Sequence, residues 1–157
     1  MAPTTRPDRP TPPPHEARSL GFLLRELYGR LQAQVYGAVA AAHPGVRPTH
    51  SPVLRHLPPE GGRVADLARL TGLAKQSVSY VVDDLVALGY LRSQPDPDDG
   101  RARRLTYTAR GRALLACLAE AGRDAEAALA ARLGVARVRA LRATLEAAVA
   151  SPIRPPA

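Results

Sequence analysis

Lys75, Gln76, Ser77, Ser79 and Tyr80 fall within six consecutive residues and carry one cation, one carboxamide and three hydroxyls. None is a nucleophile beside an obvious base, so the set offers hydrogen bonding rather than bond cleavage. A carboxamide can bond an adenine edge bidentately, hydroxyls serve bases or phosphates, and an ammonium suits a phosphate. A second set follows. Arg101, Arg103, Arg104, Arg110 and Arg112 place five cations and no acid in residues 101–112. Clustered guanidiniums bind phosphate oxygens, and one at a loop tip fits a narrow minor groove. Both sets point to recognition of a polyanion.

Composition narrows the class of polyanion. The chain has 157 residues, a length suited to one domain with an accessory dimerisation element. Its formal charge is +8, from 22 basic against 14 acidic residues, and only one basic residue, Lys75, is a lysine. A positive field favours nucleic acid or an anionic surface. Aromatic residues are only 4%, without Trp, so base-stacking platforms for single strands are poorly supplied and duplex DNA is the expected partner. The lone Cys117 excludes an intramolecular disulfide and a cysteine-built zinc site. No apolar run reaches the roughly 20 residues of a membrane span, and residues 1–14 lack a signal-peptide core. A cytoplasmic protein without a membrane partner is the expectation.

The elements that position the two sets follow from periodicity. Residues 1–16 form a Pro-rich arm and 151–157 a short Pro-containing tail, both expected to be disordered. Within 17–60, Leu20, Leu24, Leu27, Leu31, Val35 and Val39 lie on one helical stripe from Ala17 to about Ala42, and a second short helix spans about Thr49 to Leu57. Residues 61–108 begin with a helix from Arg63 to Leu70. Thr71-Gly72-Leu73 turns the chain into a helix from Lys75 to Leu88, with Val78, Val81, Val82, Leu85 and Leu88 inward. Strands at Tyr90–Gln94 and Arg103–Tyr107 flank a polar loop, forming a hairpin behind the helix-turn-helix. Thr108 is placed to cap a helix from Ala109 to about Arg132, and a last helix runs from about Val135 to Ala150. The fold class is therefore mainly α with a small β-hairpin wing. It is a winged helix-turn-helix flanked by N- and C-terminal helices whose apolar faces call for dimerisation.

The run VADLARLTGLAKQSVSYVVDDLVALGYLRSQPDPDDGRARRLTYTARGRALL, from Val64 to Leu115, resembles the winged-helix core of the MarR family of bacterial transcriptional regulators. Asp99-Gly100-Arg101 matches the family's Asp-x-Arg wing signature, and Thr108 with Gly111 matches its Leu-Thr-x-x-Gly element. With the flanking helices the resemblance extends from roughly Ala17 to Ala150. It implies a homodimeric regulator, commonly a repressor, on a pseudo-palindromic operator. Helix 75–88 would enter the major groove, Arg101 would enter the minor groove, and Asp99 would brace the wing. It also implies a small effector, anionic or phenolic, bound between the dimerisation helices and the winged helix; Tyr36, Arg47 and His50 are the pocket candidates. Tyr80 stands where the family often has Arg, Asp84 where it often has a basic residue, Tyr107 where Leu is usual, and His50-Ser51 where Gln and an aromatic residue are frequent.

Other residues read more plainly. Cys117 lies beside the Leu114/Leu118 stripe and is expected to pack as a small apolar group. His43, His50 and His56 lack the spacing of metal ligands, so neither metal nor cofactor is expected. Asp96, Asp98 and Asp99 read as turn formers, and no phosphate loop or nucleophile elbow is present, so the chain is not read as an enzyme. Asp83 and Asp84 would repel a phosphate backbone and are expected to pair with arginines or sit clear of DNA. The competing reading is a winged-helix protein-interaction module without sequence-specific DNA binding. Asp83, Asp84 and Tyr80 support it.

Overall fold

The computed structural model describes residues 19–97, 99 and 102–151. The expected N-terminal arm, most of the tail and Arg101 lie outside the described residues. Helix α1 spans Leu20–Val39, matching the apolar stripe and ending short of the expected Ala42, with Ser19 Oγ accepting from the Phe22 N–H at its start. A 3-10 turn, Pro48–His50, leads into the short α2, Ser51–His56, where Pro52 occupies the first turn and disrupts no ladder bond. A two-residue strand β1, Gly62–Arg63, precedes α3, Val64–Thr71, and α4, Lys75–Ala87. Strands β2, Leu91–Pro95, and β3, Arg103–Tyr107, form the wing, and α5, Ala109–Leu133, and α6, Val135–Ala150, complete the chain.

The sheet contains the hairpin expected from sequence and adds a third strand to it. Its strand order is β1-β3-β2, fully antiparallel, with Gly62 opposite Leu105 and Arg63 opposite Arg104. Two residues are too few for an alternating pattern to show, so β1 is invisible to periodicity. It covers the free edge of β3 and ties the wing to the start of α3.

One core joins every layer of the winged helix. Val39 of α1, Val53 of α2, Leu67 of α3, Val78 and Leu85 of α4, Leu105 of β3 and Leu114 of α5 are all fully buried, as is Tyr90. Each such aliphatic side chain contributes about 1.5–3 kcal/mol relative to exposure. Tyr107 does more than replace an aliphatic residue. Its hydroxyl lies 3.3 Å from the carbonyls of both Leu54 and Leu57, joining β3 to the C-terminal end of α2, and burial pushes its pKa up to about 12.

The α5 helix starts at Thr108, whose Oγ1 accepts from the Gly111 N–H and donates to the Gly89 carbonyl at 2.7 Å. Gly111 itself is required by proximity, because a Cβ there would sit 2.1 Å from the Tyr90 carbonyl oxygen. From this joint α5 runs on the order of 37 Å at 1.5 Å per residue, with α1 and α6 both packed along it. Glu126 of α5 pairs with Arg142 of α6. The flanking layer is left open, since Leu20 and Leu23 of α1, Val149 of α6 and Val135 at its start are all exposed. Cys117 is half-buried against the core cluster. Among the described residues no helix is long and apolar enough to cross a membrane.

Candidate nucleic-acid interface

Gly72, at φ 67°, ends α3 in the left-handed conformation that turns the chain toward α4. Thr71 Oγ1 reinforces that end by donating to the Leu67 carbonyl at 2.7 Å. Helix α4 then buries Val78, Val82 and Leu85 and turns its other face outward. Lys75, Gln76 and Ser77 are exposed in the first turn, Ser79 is half-buried, and Tyr80 is 72% exposed. No side chain caps the helix at Ala74, so first-turn N–H groups and the positive end of the helix dipole face the same solvent as these side chains.

Gln76, Tyr80 and Asp84 stand at i, i+4 and i+8, one row along the helix. Together with Ser77 they line a cleft of 600 Å³ whose opposite wall is the 3-10 turn bearing Arg47, Thr49 and His50. Asp84 is tied across it. Arg47 Nη2 and His50 Nε2 both contact Asp84 Oδ2, the latter at 2.8 Å. The His50 bond, reinforced by Arg47, holds the Asp84 carboxyl below the usual carboxylate range. The expectation that this acid would pair with an arginine is met by Arg47. Asp83 is exposed on the neighbouring row.

Two residues that the sequence did not single out for it, Arg63 and Asp96, brace the wing. Asp96 is buried and accepts both arms of the Arg63 guanidinium, Nε at 2.7 Å and Nη2 at 2.8 Å. Asp96 N–H donates to the Ala102 carbonyl, Ala102 N–H donates to that of Asp99, and the Asp99 N–H reaches Asp96 Oδ1 at 3.3 Å. The Asp99 backbone thus joins the brace around the buried Asp96 carboxylate. Sequence reasoning missed Arg63 and Asp96 as partners, because nothing in a linear pattern links residues 33 apart across an unanticipated strand.

The arginine cluster divides in space. Arg103 is exposed on the wing, with Nε donating to Ser93 Oγ at 2.8 Å, and Arg104 is half-buried opposite Gln94. Arg110 instead stacks over the Tyr90 ring, 4.6 Å from its centroid, and Arg112 donates to the Tyr107 carbonyl at 2.9 Å. Arg110 also approaches Gly89, at the far end of α4 from Lys75. These two are joint-forming residues, not wing residues. The three pocket candidates separate as well. Tyr36 lines an apolar groove of 620 Å³ between α1, α2, α5 and α6, whereas Arg47 and His50 line the cleft against α4. Burial raises the Tyr36 pKa, with a Ser51 hydrogen bond partly opposing it.

A buried-core winged helix with an outward first turn on α4 and a carboxylate-braced wing is the architecture that the sequence led us to expect of one regulator family. Its family model, described as MarR family, matches residues 45–102, which span the 3-10 turn, α2, α3, α4 and β2. Over those residues the chain is similar to the MarR family. Its fold is the winged helix of that family. The similarity extends over the flanking helices in solved structures. A probable transcriptional regulator from Pseudomonas aeruginosa is 29% identical with a TM-score of 0.67, over 82% of this chain and 96% of that one. A MarR-family protein of Mycobacterium tuberculosis, in complex with p-aminosalicylic acid, is 27% identical with a TM-score of 0.64, over 84% and 99%. The transcriptional repressor CouR, bound to a 23-mer DNA duplex, shares the fold with a TM-score of 0.70 at 24% identity, over 90% and 99%. A comparison with proteins of curated function finds no match.

Proposed function

We propose that the chain is a MarR-family regulator acting as a homodimer on a pseudo-palindromic duplex, as a repressor whose affinity responds to a small effector. The observation that carries the DNA reading is the first turn of α4, where Lys75, Gln76 and Ser77 are all exposed beside an uncapped helix start. In this reading Gln76 and Ser77 meet base edges in the major groove, Lys75 takes a phosphate, Ser79 and Tyr80 flank them, and the wing supplies Arg101, Arg103 and Arg104 to the backbone and minor groove. CouR in its DNA complex is a relative in fold that supports this assignment.

The exposed apolar residues of α1 and α6 support a second copy as the missing neighbour, since an open apolar layer is costly to leave hydrated. The effector is assigned to the groove beside Tyr36, whose lining is largely aliphatic and includes Arg55 as well as Arg142 paired with Glu126 and Glu146. An aromatic carboxylate fits that chemistry, and the p-aminosalicylic acid complex of the Mycobacterium tuberculosis relative supports it. The test is selection of a binding duplex from a random-sequence library by the wild-type protein, followed by Gln76→Ala. Discrimination between the selected and scrambled duplexes should fall by about 1–3 kcal/mol. Binding by the wild type that shows no sequence preference would favour the protein-interaction reading instead.

A further inference from the structure

The row that begins with Gln76 ends in an acid, and the tie across the cleft explains how an acid is tolerated there. Between Lys75 and Ala87 the helix carries one lysine against Asp83 and Asp84, a deficit of positive charge on the element that must approach phosphates. Asp84 lines the same cleft as Gln76, Ser77 and Tyr80. An unpaired carboxylate in that position would oppose binding. Arg47, 37 residues away in sequence, donates to Asp84 Oδ2.

The other partner fixes the geometry. His50 is 1% exposed, and its Nδ1 accepts from the Arg47 backbone N–H at 3.1 Å. Its proton therefore resides on Nε2, which donates to the same Asp84 oxygen at 2.8 Å. One end of the network is locked in the core, whereas the Arg47 side chain at the other end is 59% exposed. An ion pair with so exposed a partner is screened by solvent and contributes little to stability. What the network fixes is the place of a guanidinium, which has five donors and spends few of them on one carboxylate oxygen.

We propose that Arg47 is a phosphate-contacting residue of the DNA interface, held beside the recognition helix by Asp84 and His50 as positioning residues. The cation that α4 lacks is supplied from the 3-10 turn, and Asp84 serves as its anchor. This inference rests on the DNA-binding reading above.

The test measures affinity for a fluorescein-labelled duplex, selected from a random library by the wild-type protein, over a series of NaCl concentrations. Arg47→Ala should lower affinity about tenfold and reduce the slope of log K against log salt by about one, equally on selected and scrambled duplexes, while Arg47→Lys keeps the slope. Asp84→Asn should weaken binding in the wild-type background, because Arg47 loses its anchor. In the Arg47→Ala background it should strengthen binding, because there the carboxylate is no longer neutralised. A purely structural tie cannot produce that change of sign. An unchanged slope in Arg47→Ala, or Asp84→Asn strengthening binding in both backgrounds, overturns the proposal. Should Arg47→Ala fail to fold, Arg47→Gln replaces it with the same expected readings. Failure of the wild-type protein to bind any duplex overturns the DNA reading itself, and this proposal with it.

Discussion

The winged helix and the helical flank treat their apolar residues in opposite ways. In the winged helix Val78, Val82 and Leu85 of α4, with Leu105 and Tyr107 of β3, are buried within a single chain. In the flank Leu20 and Val149 belong to stripes just as regular, yet they are 72% and 87% exposed. A stripe therefore states that a helix has an apolar side, not that its own chain covers it. The two regions meet at the start of α5, where Thr108, Arg110, Gly111 and Arg112 all engage the Gly89–Tyr90 or Tyr107 backbone and rings.

The largest effect is expected from truncating a residue of the closed region and the smallest from its open counterpart. Leu114→Ala, at a fully buried position, should cost about 2–5 kcal/mol in chemical denaturation, whereas Val149→Ala should stay within about 0.5 kcal/mol at protein concentrations that hold a single chain. Equal losses would erase the contrast. At the joint, Gly111→Ala forces a methyl against the Tyr90 carbonyl. A loss of about 3 kcal/mol is expected, visible as a lowered thermal midpoint; a neutral result would mean that α5 can back away from β2 freely.

Alkaline titration sharpens the comparison from inside the closed region. Tyr107 ionises at about 12 when folded, against about 10 in an unfolded chain. Its contribution to stability is complete below about pH 10 and is lost progressively as pH rises toward about 12, by on the order of 2–3 kcal/mol. Denaturation midpoints of Tyr107→Phe across that window should decline less than those of the wild type. Tyr36, whose pKa is also raised, leaves a residual slope. A fourth expectation concerns the joint and DNA together. Arg110→Ala removes a cation from the Tyr90 ring and should cost about 0.5–1 kcal/mol of stability while leaving the salt dependence of DNA binding unchanged. A reduced slope would return Arg110 to the DNA-facing set.

Much of this was legible in the sequence, and the reasons are physical. Helices of period 3.6 with an apolar stripe announced α1, α3, α4, α5 and α6, and β3 was delimited by its turn and by the Thr108 cap. The outward set Lys75, Gln76, Ser77, Ser79 and Tyr80 follows from that period alone, and all but the half-buried Ser79 are exposed. The Arg63–Asp96 pair of the wing brace was not legible, because Asp96 and Asp99 are the same residue type in one turn and only burial singles out Asp96. Tyr36 stands apart from Arg47 and His50 because a helix and the turn after it line different faces of the same domain.

The sequence by itself determined the local periodicities, the turn at Gly72, the cap at Thr108 and the density of arginine after the wing, all of which depend on neighbours within a few residues. Only the tertiary structure decided which charges act where. Arg63 met Asp96 and Arg47 met Asp84 across separations of 33 and 37 residues, and Arg110 and Arg112 were drawn from a basic run onto Tyr90 and the Tyr107 carbonyl. The physical reason is that a charge finds its partner through space at a few ångströms, and chain order carries no record of that distance.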